Sequence, residues 1–167
     1  MKKVLLVGET WFVHKTHIKG FDKFTESSYG EGASWIIEAL KSGGYDVTHI
    51  ANHRVDEEFP SSLEELKAYS LVILSDIGSN TLLLPSSTFN QSKTNPNKCD
   101  LIRDYVLEGG GFLMVGGYMA FSGIDGTSRY EETSIQEILP VKCLGKDDRS
   151  ERPEGITPKI IENHPIF

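Results

Sequence analysis

The sequence predicts an α/β fold, a mostly parallel sheet with helices on both faces, and three observations carry that reading. Short apolar runs at Val4–Val7, Leu71–Leu74 and Phe112–Val115 are bounded by Gly or polar residues, the pattern of buried strands. Helical patterns at Ser34–Lys41 and Lys98–Glu108 fall between them. The stretch Gly109–Gly123, GGGFLMVGGYMAFSG, sets a strand between two glycine clusters and so marks a sharp turn at a strand end. Strands alternating with helices imply right-handed crossovers and hence a flavodoxin-like, doubly wound arrangement.

Each element follows in order. Val4–Val7 is a strand ending at Gly8. Residues 9–30, polar and aromatic, read as a long, partly irregular connection to the first helix. In Ser34–Lys41, the residues Trp35, Ile36, Ala39 and Leu40 share one face, and Gly43-Gly44 stops the helix. Tyr45–Ile50 alternates as a strand does. Ser61 or Ser62 caps a short helix through Leu66 after the break at Phe59-Pro60. Leu71–Leu74 ends at Ser75-Asp76. Residues 76–96 are rich in Ser, Thr, Asn and Pro, with an apolar clip at Leu82–Leu84, and read as a long functional or disordered connection. Asn97 caps a helix from Lys98 to Glu108 whose buried stripe is Leu101, Ile102, Tyr105 and Val106. Phe112–Val115 is expected to be a fully buried strand. Thr133-x-x-Gln136 matches a capping box for a short helix ending at Leu139-Pro140. Val141–Leu144 and Lys159–Ile161 are candidate strands, with a solvated polar loop, Lys146–Glu154, between them.

The chain has 167 residues, enough for one domain with a real core. A single domain over residues 1–167 is expected. The end at Asn163–Phe167 has no closing helix, so the domain is expected to lack its C-terminal part. Intact mass against the encoded length tests this. The net charge of −7 argues against nucleic acid and against an anionic membrane surface. No apolar run reaches the ~18 residues needed to span a bilayer. Two cysteines, Cys99 and Cys143, form no metal spacing, and a reducing cytoplasm is the default setting.

Candidate chemistry collects at the strand ends, where ligands bind in open α/β sheets. Glu9 and Trp11 follow the first strand, Asp76 and Gly78 the third, and Gly117, Tyr118, Met119 and Ser122 the focal one. Tyr118 occupies the nucleophile slot of a G-x-Nuc-x-G elbow. The plainer reading is that Gly116-Gly117 permit tight packing and Tyr118 covers the strand ends. A phenol of ordinary pKa, about 10, is a poor nucleophile without a base. Asp76 alternatively closes an Asx turn. Arg129 either binds an anion or pairs with Glu131 or Glu132. Cys99 falls in a first helical turn, where a thiolate is favoured, yet reads more simply as a small buried residue. The pairs His14/His17 and His49/His53 have spacings known from metal sites, but no Cys or carboxylate completes a set, and no metal is assigned. Phosphate cradles of the P-loop and dinucleotide kinds are absent, so no cofactor is expected.

At these residues the sequence resembles the class I glutamine amidotransferase-like superfamily, and within it an uncharacterised bacterial branch of cytoplasmic proteins. The matching stretches are Val7–Trp11, Lys19–Asp22, Tyr29–Gly32, Ile73–Gly78 with Asn80–Leu84, and Leu101–Tyr105. They continue through Gly109–Gly123, Arg129-Tyr130, Asp147–Arg149 and His164–Ile166. The trehalose-utilisation (ThuA-like) proteins look like a neighbouring branch. The resemblance implies a flavodoxin-like sheet and further chain beyond Phe167.

The family's Cys at the elbow is Tyr118 here, and its His-x-Glu pair is absent from these residues. Glutamine hydrolysis by the Cys-His-Glu route is therefore expected to fail, and no residue is assigned a catalytic role. Backbone donors near Gly78 and Met119 are expected to survive as an oxyanion or carboxylate site. The first functional expectation is a repurposed domain that binds a small polar ligand, a sugar or a carboxylate, as part of a homo-oligomer. The alternative is a hydrolase or sugar-modifying enzyme using Tyr118 or Ser122, with Asp76 or a histidine as base.

Overall fold

The structure, a computed structural model, describes residues 1–165. Four parallel strands form one sheet: β1 (Lys3–Gly8), β4 (Asp46–Ile50), β5 (Leu71–Ser75) and β6 (Gly111–Val115), in the order β4-β1-β5-β6. This is the flavodoxin-like order, with its switch point between β1 and β5. Val4 pairs with Val47 on one side and Leu71 on the other.

Alternation along β1 and β5 builds a core on each face. Leu5, Val7, Val72 and Leu74 face a large cluster with Val55, Leu66, Ile102, Tyr105 and Tyr130. Val4, Leu6 and Ile73 face a smaller one with Ala33, Ile36, Ile37 and Leu40. The smaller layer is the helix α1 (Ser34–Ser42). Its inward face is turned from the expected one: Ile37 packs inward, while Trp35 is 82% exposed. Gly44, at φ +82, closes the helix as expected, with Tyr45 N–H donating to Leu40 O at 3.1 Å.

The larger layer holds α2 (Val55–Glu58), α3 (Leu63–Leu66), α4 (Ser79–Leu83), α5 (Ser86–Gln91) and α6 (Lys98–Leu107). Ser62 caps α3, and Asn97 caps α6, accepting from Cys99 N–H at 2.9 Å and Asp100 N–H at 3.2 Å. The connection over residues 76–96 is not a bare loop. It winds into α4 and α5, because Leu82 reaches the core and pins the first of them.

Several sequence expectations give way to tertiary context. Residues 9–30 form no irregular link but an antiparallel ribbon, β2 (Thr10–Lys19) and β3 (Asp22–Glu31). Gly20, at φ +65, opens its two-residue turn. The β6 strand is half-buried rather than fully buried, with Leu113 45% exposed, because it is the last strand of the sheet. Val141–Leu144 and Lys159–Ile161 form no strands; neither finds a neighbour to pair with. The capping box at Thr133 is half realised. Thr133 Oγ1 accepts from Ile135 N–H, but Gln136 turns away to bond Val141 O and Cys143 N–H. The end of the His164–Ile166 stretch, and the expected domain end at Phe167, lie outside the described residues.

Candidate functional site

The carboxyl ends of β1, β5 and β6 open into a cleft of about 1010 Å³. Its walls include Glu9, Trp11, Asp76, Gly117, Tyr118 and Met119. Two backbone corners shape it. Gly8 turns at φ +114 against β5, so close that a Cβ there would sit 1.8 Å from Ser75 O. Glu9 and Asp76, the residues just after β1 and β5, take φ +56 and +48. Such left-handed non-Gly corners cost of order 1–3 kcal/mol each and persist only when their surroundings fix them.

Those surroundings are a hydrogen-bonded lattice. Glu9 N–H donates to Ser75 O at 2.9 Å, and Glu9 O accepts from Gly32 N–H at 2.8 Å. The Ser75 hydroxyl donates to the Glu9 carboxylate. Asn52, just after β4, donates through Nδ2 to Asp76 O at 3.1 Å, and its own N–H donates to Thr10 Oγ1 at 2.8 Å. Asp76 Oδ1 accepts from Met119 N–H at 2.8 Å. That approach requires glycine at 117, where a Cβ would lie 2.8 Å from the same oxygen. Trp11 lies against the end of β3 and the residue after it, where Gly30 and Gly32 leave room for its indole.

The turn after β6 is not a nucleophile elbow. A 3₁₀ turn at Ile124–Gly126 follows it rather than an α-helix, and the positive φ in the turn falls on Phe121 (+52), not on Tyr118; Glu9 and Asp76 hold the corners at the ends of β1 and β5. Tyr118 is 67% exposed, and among the described residues no hydrogen bond joins its phenol to a base. The Met119 donor expected for an oxyanion is already given to Asp76.

Three other expected residues stand outside the cleft walls. Gly78 packs beneath Met119, whose Cε lies 3.0 Å from where a Cβ would be. Ser122 is fully buried, and its hydroxyl donates to Leu144 O. Arg129 pairs with Glu132 at the surface. The cysteines are remote from the chemistry too. Both are buried, and desolvation pushes the Cys99 thiol up to about 12, overriding the helix terminus that favours a thiolate.

Sequence reasoning missed the other wall. Arg149, Ser150 and Glu151 close the cleft from the segment read as a solvated loop. Asp147 holds the Arg149 guanidinium, with Oδ2 2.7 Å from a terminal nitrogen, and this pairing keeps the Asp147 carboxyl well below the usual range. Asp148 accepts from Ser122 N–H at 2.9 Å and Gly123 N–H at 3.1 Å, tying the segment to the turn. The only signal in the sequence was the Asp-Asp-Arg triplet itself. The cleft lining includes the carboxylates of Glu9, Asp76 and Glu151, the Arg149 guanidinium, and the aromatic side chains of Trp11 and Tyr118. No group of three or more His, Cys, Asp or Glu among the described residues has metal-site geometry.

Comparison with known proteins agrees with this fold. Residues 3–167 match the family model described as "Putative glutamine amidotransferase". The chain is 49% identical to the cytoplasmic protein STM3548 from Salmonella typhimurium, with a TM-score of 0.88, covering 91% of this chain and 62% of that one. It is 44% identical to the cytoplasmic protein STM1381 from Salmonella typhimurium LT2, with a TM-score of 0.92, covering 98% and 67%. This chain thus spans about two thirds of the length of either protein. No curated protein matches it significantly. The chain belongs to the class I glutamine amidotransferase-like family.

Proposed function

We propose that this domain binds a small polar ligand in the cleft of Glu9, Trp11, Asp76, Tyr118 and Arg149, without Cys-dependent glutamine hydrolysis. The observation that carries the reading is the chemistry of the walls. They offer hydrogen-bond acceptors and aromatic side chains but no thiol, and the hydroxyl that donates to the Glu9 carboxylate, Ser75, is buried and outside the lining. Three carboxylates to one guanidinium favour a ligand rich in hydroxyl or amine donors over an anion. Of the two ligands considered, this ranks a sugar above a carboxylate. The expected nearness to the ThuA-like branch makes sugars the first ligands to screen. The two cytoplasmic neighbours support a cytoplasmic setting, and no helix among the described residues is long and apolar enough to cross a membrane. We read the chain as one domain acting in a homo-oligomer.

The test is a thermal-shift screen of neutral sugars, amino sugars and amino acids with the full-length protein, alongside a glutaminase assay. A stabilising sugar or amine whose effect disappears in Trp11→Ala and Asp76→Asn supports the reading. Ammonia release from glutamine that survives Cys99→Ala and Cys143→Ala overturns the account of the site. Its loss in Cys99→Ala alone would move the nucleophile to Cys99.

A further inference from the structure

We propose that the half-open face of the sheet beside α1 is completed by chain that follows Phe167: a fifth parallel strand along the free edge of β6, and a helix laid back over Leu113 next to α1. This rests on the expected continuation of the domain and is independent of the ligand. The two faces of the sheet are covered unequally. Val55, Leu66, Leu82 and Ile102 bring α2, α3, α4 and α6 against one face. The other face has α1 alone. No residue of α1 is fully buried, although Ile36, Ile37 and Leu40 all pack on the sheet. Along β6, Phe112 and Met114 pack into the large cluster and Val115 into the small one, so alternation sets Leu113 on the side of α1. There it is 45% exposed. The run Phe112–Val115 has the unbroken apolar character of a strand buried on both faces, yet its outer edge pairs with no strand among the described residues.

Handedness and length name the occupant. Parallel crossovers are right-handed, so the face that a connecting helix covers depends on which way the chain steps along the sheet. The step from β1 to β4 puts α1 on the small face, and the steps back to β5 and on to β6 put α2, α3 and α6 on the large one. The chain after β6 keeps to that rule, since Tyr130 and Ile135 pack into the large cluster with Ile102. It is already crossing the face over which a next parallel strand is reached. The order β4-β1-β5-β6 matches the first four positions of the five-strand flavodoxin order, and the fifth position is the free edge of β6. A helix after that strand then returns over the small face, beside α1. The two Salmonella proteins have the length for it: about a third of either one lies outside the match. That exceeds the roughly 30 residues that a strand and a helix need. The added strand would end beside Gly116 and Tyr118, so the residues after it would form a further wall of the cleft, where Tyr118 is 67% exposed.

The experiment is hydrogen exchange of the protein expressed from its complete gene, read at residues 111–115 and in α1, with intact mass and with the variants L113E and L107E compared. The expected mass exceeds the 18.6 kDa of residues 1–167. Every amide of β6 should exchange slowly at all protein concentrations, because strands pair along both of its edges. L113E should speed exchange in α1 by about tenfold or more, since it buries a charge without a partner. L107E, at an exposed position of α6, should not. A mass of 18.6 kDa overturns the proposal. So does exchange of the outward-facing β6 amides at the rate of an open strand, or protection that grows with protein concentration and so gives the edge to a second copy. Equal effects of L113E and L107E overturn the helix over Leu113. If L113E fails to fold, the wild-type exchange still decides. None of these readouts involves a ligand, so the proposed ligand site stands or falls apart from them.

Discussion

The sheet core and the β2–β3 arm are both built of strands, yet they are held by different physics. In the core, β1 and β5 bury nearly every side chain, and their ends are locked by Gly8, Asn52 and the bond from Met119 to Asp76. In the arm, nearly every side chain faces water, and order comes from the ladder, the ring contacts and the turn at Gly20. The difference teaches that one side of the cleft is a fixed frame, whereas Trp11 is carried on a ribbon whose tip is left exposed among the described residues. The contrast can be broken at single residues.

The largest effect is expected at Gly8. Gly8→Ala places a methyl against the Ser75 carbonyl at a backbone angle that alanine resists. A loss above about 4 kcal/mol, enough to unfold a marginal domain, should follow in urea denaturation. Gly20→Ala in the arm meets no atom within 4 Å and pays only for its angle. It should cost about 1 kcal/mol. Equal losses at the two glycines would erase the distinction between frame and arm.

Tyr130→Phe comes next. The fully buried Tyr130 hydroxyl donates to Ile77 O at 2.7 Å, beneath the segment that follows Asp76. Its removal leaves that carbonyl without the bond and should cost about 1–3 kcal/mol in the same assay.

A third test concerns the cleft wall at Asp147 and Arg149. The Asp147 carboxyl is held below its ordinary value by Arg149 and by backbone donors, so the unfolded chain takes up its proton first as pH falls. Its contribution is complete above the ordinary carboxylate pKa, about 4, and is lost as pH drops through the lower folded value. Carboxyl chemical shifts should show Asp147 still ionised below the ordinary carboxylate range. The smallest effect is on thiol reactivity. Cys99 and Cys143 should react with a disulfide reagent only as fast as the domain opens, since both are buried and both thiols are pushed up by desolvation. Rapid native-state labelling of Cys99 would contradict its place in the core.

Sequence and structure part company where neighbours decide the outcome. Val4–Val7 and Leu71–Leu74 were legible because burial on both faces demands unbroken apolar runs. The arm was overlooked because its residues alternate without a polar face or a buried one, although the glycine at the turn and its β-prone neighbours were present. Ser122 was legible as a small residue near the turn, but not as a hydroxyl closed off by Leu144. The Arg149 wall was out of reach because residues about 30 positions after the turn return to it through long-range bonds from Leu144, Asp147 and Asp148.

By itself, the sequence determined the class of fold, the order of its buried strands, the cap at Asn97, and the absence of a cysteine at the turn after β6. Local propensity and apolar period act over a few residues, and these features need nothing more. Tertiary structure alone decided that Glu9 and Asp76, not Tyr118, take the strained corners, that the arm stands clear of the sheet, and that Arg149 closes the cleft. Each depends on groups far apart in the chain meeting within hydrogen-bond distance, and no local pattern encodes that meeting.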